Sequence, residues 1–182
     1  LVVLSLVTAQ AWAIVTSDET GSHVVQPGES AFGVDVDGVV IIGGMSFSGD
    51  PVGTCSGALI TNLHVLSAAH CFDEDGDGEI DPMLAAFPHE VIFETAGGYV
   101  AIEYELESIQ WPDEWITSRG DLAVITLTED APADIPRYPL YGGDEEVGRP
   151  IVIVGYGVPG HGATGQDDWG DVLPTKRAAR NR

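Results

Sequence analysis

The chain has 182 residues, 44% of them hydrophobic, and carries 29 acidic against 7 basic side chains for a formal charge of -22. That length can bury a sizeable core and suits one domain or a domain and a fraction, while the hydrophobic content excludes a disordered acidic tail. A surface this acidic repels phosphate backbones and anionic membranes, which argues against nucleic acid as a partner and favours cations, basic substrates or a salty medium.

Residues 1–13, LVVLSLVTAQAWA, form an apolar run closing on Ala11-Trp12-Ala13, the small-x-small pattern that signal peptidase cuts. No initiator Met or basic stretch precedes it, so a partial signal peptide and export to an extracellular or periplasmic space are expected. A bilayer span needs about 20 apolar residues, and polar ones follow this run at once, so no stable membrane span is expected. Export makes a disulfide plausible, and there are two cysteines, Cys55 and Cys71. Residues 14–37 are polar and contain glycine without periodicity, and read as a leader or loosely packed arm.

From Gly38 onward short runs rich in β-branched and aromatic residues alternate with Gly, Pro and Asp: VVIIGG, CSGALI, HVLSA, EVIFE, YVAIEYELESI, DLAVITL and IVIVGYG. None carries a sustained apolar stripe at helical spacing, so the pattern predicts an all-β sandwich or barrel. A Pro-rich link, APADIPRYP at 131–139, separates a long first block from a short second one at 140–182.

The segment Cys55 to Cys71, CSGALITNLHVLSAAHC, reads as a strand, a turn at Thr61-Asn62 and a second strand ending on His70. If the cysteines pair, the bridge pins the loop of His70 to the preceding strand and preorganises a general base. His64 is the competing base. Asp121 heads the apolar strand GDLAVITL, 51 positions after His70. Alone it would read as a strand-end cap. A carboxylate there could also hold a histidine's tautomer and stabilise its imidazolium.

Directly after Cys71 comes DEDGDGEID, six carboxylates in nine residues. Asp73, Asp75 and Asp77 take positions one, three and five of an EF-hand loop, Gly78 position six, the Glu79 carbonyl position seven and Asp81 position nine. Position twelve is Leu84, not the bidentate Glu, and helical flanks are absent. The segment thus predicts a structural calcium site rather than a switching sensor, with Glu90 or Glu94 as candidates for the closing ligand. The alternative is a solvated acidic loop. GYGVPG is formally G-x-G-x-x-G, but Pro159 and glycine follow instead of a helix, so no helix N-terminus can receive a pyrophosphate.

These residues resemble the trypsin and chymotrypsin family of serine proteases, peptidase family S1, in a bacterial-type secreted form. The small-residue strand, SAAHC and the sixteen-position separation of Cys55 and Cys71 match its first barrel, and GDLAVITL resembles its Asp-(Ile/Leu)-Ala-(Leu/Val) segment. The resemblance implies that His70 is the catalytic base, Asp121 its orienter and Cys55–Cys71 the bridge beside them. TNLHV alone is similar to HtrA-type proteases, which do not surround their histidine with this cysteine pair. The family's serine sits in a Gly-Asp-Ser-Gly-Gly loop. The ten serines here end at Ser118 and no Gly-x-Ser-x-Gly occurs, so no nucleophile is expected within the chain. Ser56, in CSG, imitates the motif only superficially.

IVIVGYG and the segment ending LPTKRAARNR resemble the opening of the family's second barrel. The implied fold is a trypsin-like double β-barrel of six strands each, with the first barrel at 38–130, the linker at 131–139 and an incomplete second barrel at 140–182, truncated at the C-terminus. IIGG at Ile41 is similar to the family's activated N-terminus but stands too close to Cys55, so it reads as an early strand. Cleavage after Ala13 would expose Ile14-Val15 instead. The expected function is a secreted serine endopeptidase acting on protein or peptide substrates, inactive as residues 1–182 alone. The alternatives are a catalytically inactive trypsin-like binding protein and an extracellular calcium-binding module.

Overall fold

The computed structural model describes residues 15–16, 24–82, 84–86, 88–113, 115, 120–144, 147–157, 160–161, 165–166 and 174–181. The signal-peptide reading of 1–13, Ile14 and the Pro159 argument fall outside them. Thirteen strands are present among the described residues: β1 Val15–Thr16, β2 Ser30–Ala31, β3 Val34–Asp35, β4 Val39–Met45, β5 Pro51–Leu59, β6 His64–Ser67, β7 Glu90–Thr95, β8 Gly98–Glu103, β9 Ala123–Thr126, β10 Ile151–Gly155, β11 Gly160–His161, β12 Gly165–Gln166 and β13 Arg177–Asn181. Short 3-10 turns lie between them at Ala69–Cys71, Leu84–Ala86 and Leu106–Ser108. The run YVAIEYELESI therefore stops being a strand after Glu103, and its end turns at Leu106–Ser108.

The dominant element is a six-stranded antiparallel sheet in the order β8-β7-β4-β5-β6-β9. The segment that follows β8 meets β9 and the residue after it at two isolated bridges, Tyr104 with Leu127 and Gln110 with Val124. The strand count matches the expected first barrel, but the sheet is not closed by a continuous ladder. One core fills its inner side, built from Val40, Ile42, Leu59, Val65, Phe72, Val91, Phe93 and Ile125. The intervening residues Ile41 and Ile92 face the other way, into a second cluster with Tyr156. Burial on both faces explains why VVII and EVIF are continuous apolar runs rather than alternating ones.

β10 pairs antiparallel with β13 from Ile151↔Asn181 to Gly155↔Arg177, and β11 pairs with β1 and β12. Residues 24–37, which lack any periodicity, are not loosely held. Val25, Ala31 and Val36 pack with Ala178, and Val24 bridges Arg177. The arm thus joins the C-terminal strand, about 150 positions away in the chain.

The linker is fastened to the large sheet. Arg137 donates from Nε to Asn62 Oδ1 (3.0 Å), from Nη2 to the Ala131 carbonyl (3.0 Å) and from Nη1 to the carbonyls of Pro132 (2.9 Å) and Ile135. The Tyr138 N–H donates to the Leu59 carbonyl at 2.8 Å, and its hydroxyl accepts from Gly38 N–H at 3.1 Å. Gly38 must be glycine here, because a Cβ would run into the Pro136 carbonyl and the Tyr138 ring.

Candidate active site

Strand register creates the site. β6 and β9 are antiparallel partners, with Ser67 opposite Ala123. The residue three beyond Ser67 and the residue two before Ala123 leave the same end of the sheet, and these are His70 and Asp121. His70 sits in the 3-10 turn that follows β6, where Ala69 is fully buried and anchors the turn. The Cys55–Cys71 disulfide, with Cα atoms 6.2 Å apart, ties that turn to β5. Ser67 adds a second tie by donating from Oγ to the Ser56 carbonyl at 3.0 Å.

His70 meets Asp121 twice. Its Nδ1 lies 2.8 Å from Asp121 Oδ2, and its backbone N–H donates to Asp121 Oδ1 at 3.0 Å. Partial burial pushes the Asp121 carboxyl up, but hydrogen bonds from the side chain and backbone of His70, aided by the Ala69 backbone, outweigh it and hold the pKa below its ordinary value. Asp121 is therefore ionised at neutral pH and can only accept, so the proton between the two belongs to Nδ1. That tautomer leaves Nε2 as the basic nitrogen, on a side chain 44% exposed and able to reach a reactant.

The other histidine candidate is placed differently. His64 opens β6 and lies 2.7 Å from Thr61 Oγ1 inside its own turn, so the structure joins Asp121 to His70 and not to His64. Ser56 Oγ accepts the Tyr156 N–H at 2.9 Å, which makes it a tie between the two blocks.

In the acidic loop, carboxylate oxygens of Asp73, Asp75 and Asp77 can all lie within 4.8 Å of one another. The side chains of Glu79 and Asp81 do not join that group; Asp81 Oδ2 accepts the Glu74 N–H at 3.0 Å. Gly76 and Gly78 adopt positive φ of 72° and 88°, which the tight turns require. Glu90 and Glu94 are engaged elsewhere, Glu90 with the Met45 N–H and Glu94 with Tyr156 and Lys176.

Two features escape sequence reasoning. Asp73 is fully buried and accepts four N–H donors: Oδ1 from Gly76 (2.7 Å) and Asp77 (3.1 Å), Oδ2 from Gly78 (3.0 Å) and from Trp115 Nε1 (2.8 Å). Lys176, in a basic tail, is also buried, 3.7 Å from Asp37 and 3.8 Å from Glu94, with its ammonium 5.6 Å from the Tyr156 ring centroid. A charge run signals solvent, so neither burial is visible in composition. The hint for Asp73 was that the residue before it, Phe72, is apolar and core-forming.

A family model described as Trypsin matches residues 38–176. No curated protein matches the chain. Among solved structures, two mutants of human heparin binding protein are each 17% identical, with a TM-score of 0.59 over 92% of this chain and 64% of theirs. Human heparin binding protein itself is 17% identical, with a TM-score of 0.55 over 86% of this chain and 64% of its own. At that identity the likeness is one of fold, and the chain spans less than two thirds of these neighbours' length.

Proposed function

The chain belongs to the trypsin family, and from that premise we propose that it is the base-bearing part of a secreted serine endopeptidase. The observation that carries the reading is the pair of contacts between His70 and Asp121, 2.8 Å at Nδ1 and 3.0 Å at the backbone N–H. A serine outside residues 1–182 attacks the peptide carbonyl; His70 Nε2 takes the hydroxyl proton and returns it to the leaving amine. Asp121 keeps the tautomer and stabilises the imidazolium through Nδ1–H. Support for an exported, oxidising setting comes from the Cys55–Cys71 bridge.

The test is labelling with a serine-directed fluorophosphonate. The full-length protein should label and hydrolyse a peptide library, while residues 1–182 alone should do neither; a full-length protein that stays unlabelled would sink the reading. The rival, a trypsin-like binding protein without catalysis, would be favoured by that same negative result. Heparin binding, which belongs to the fold neighbours by name, does not suit a chain of charge -22, because heparin is itself a polyanion.

The 73–81 loop enters the proposal as a calcium site held by Asp73, Asp75 and Asp77 with the Glu79 carbonyl and Asp81. Its support is the proximity of three carboxylates and the two positive-φ glycines. A carboxylate offers about four lone-pair sites, and all four on Asp73 already face N–H donors, so Asp75, Asp77 and carbonyls would supply most of the coordination. Melting in calcium and in chelator tests it; equal midpoints argue for a plain acidic loop.

A further inference from the structure

We infer that Asp73 is a positioning residue for the His70–Asp121 pair, acting through the indole N–H of Trp115. The inference rests on the proposed roles of His70 and Asp121. Three of the four donors on Asp73 come from its own loop, but the fourth, Trp115 Nε1, comes from 42 residues away. Trp115 is itself buried and belongs to the segment that leads into Asp121. Its carbonyl accepts the Gly120 N–H at 3.2 Å, one residue before Asp121.

These contacts form a ring. It runs along the backbone from His70 to Asp73, across the 2.8 Å bond to Trp115, across the 3.2 Å bond to Gly120, one peptide on to Asp121, and back to His70 at 2.8 Å. A buried carboxylate is costly unless its hydrogen bonds are satisfied, and a role in packing alone would be served by an apolar residue at 73. The buried acid does what an apolar residue could not: it fixes, by a directional bond, the distance between the segment carrying the base and the segment carrying its orienter. Displacing reacting groups by about 1 Å costs on the order of a hundredfold in rate, so a tie remote from the chemistry can matter to it.

Trp115→Phe in the full-length protein keeps the ring and deletes the donor. The expected result is a kcat lowered about tenfold to a hundredfold with KM unchanged, and loss or broadening of the His70 Nδ1–H resonance in proton NMR. Asp73→Asn, read by the same two measurements, serves if Trp115→Phe does not fold. Wild-type kcat together with an intact His70 resonance overturns the inference, even if the melting temperature falls. His70→Ala separates the two levels: loss of activity there with none in Trp115→Phe removes only the tie, whereas activity surviving in His70→Ala removes the proposed function and the tie with it.

Discussion

Asp121 makes its two contacts from a position that is 43% exposed, so its worth lies in geometry and protonation more than in stability. Its folded pKa stands below the ordinary value of 3.8. Its contribution to stability is thus complete above that ordinary value and is lost as pH falls through the lower folded one. The melting-temperature gap between wild type and Asp121→Asn should therefore be constant near neutrality and shrink in strong acid; a gap that widens in acid would contradict the hydrogen-bond assignment. In the full-length protein the same substitution should lower kcat roughly ten-thousandfold, because Asn can present an N–H and favour the wrong histidine tautomer. His70 and Asp121 were legible in the sequence because each sits inside a short local motif. In space, the register of β6 on β9 sets His64 opposite Thr126 and brings His70, not His64, to Asp121. Asp73 was legible only as one acid among six, since nothing local distinguishes a carboxylate that a distant tryptophan will cover.

At the scale of the element, the turn at Ala69–Cys71 closes on itself through the N–H groups of Phe72 and Asp73 on the Ala69 carbonyl, and β5 and β6 fix where it stands. Removing the bridge by Cys55→Ser with Cys71→Ser opens a loop of 16 positions, for which the chain-entropy effect is about 3 kcal/mol. Urea unfolding of the double variant should show a loss of that order, and a change well under 1 kcal/mol would mean that the strand pairing alone holds the turn. The strands β4, β5, β6, β7 and β9 coincide with runs that β-branched residues and flanking turn residues mark in the sequence. The small hairpin of β2 and β3 does not. Its packing partner is β13, and a strand that gains its burial from the far end of the chain leaves no period in its own few residues.

Over the whole molecule, Lys176 connects the C-terminal strand to the large sheet and its approach. It lies between Asp37 just before β4 and Glu94 on β7; burial pushes its pKa down, and the two carboxylates pull it back up only in part. Lys176→Met would strand both acids, so calorimetry should show a destabilisation of roughly 3 kcal/mol. Adding Asp37→Asn and Glu94→Gln should restore much of it, because the cost is that of unpaired carboxylates; no recovery would place the role of Lys176 in packing instead. The same union of distant segments passes through the linker, and Arg137 gives it a further property. An enzyme that cuts after basic residues must grip the guanidinium, yet here that group is turned inward onto Asn62 and the linker's own carbonyls. The linker's one basic residue is thus withheld from any protease that cuts after arginine.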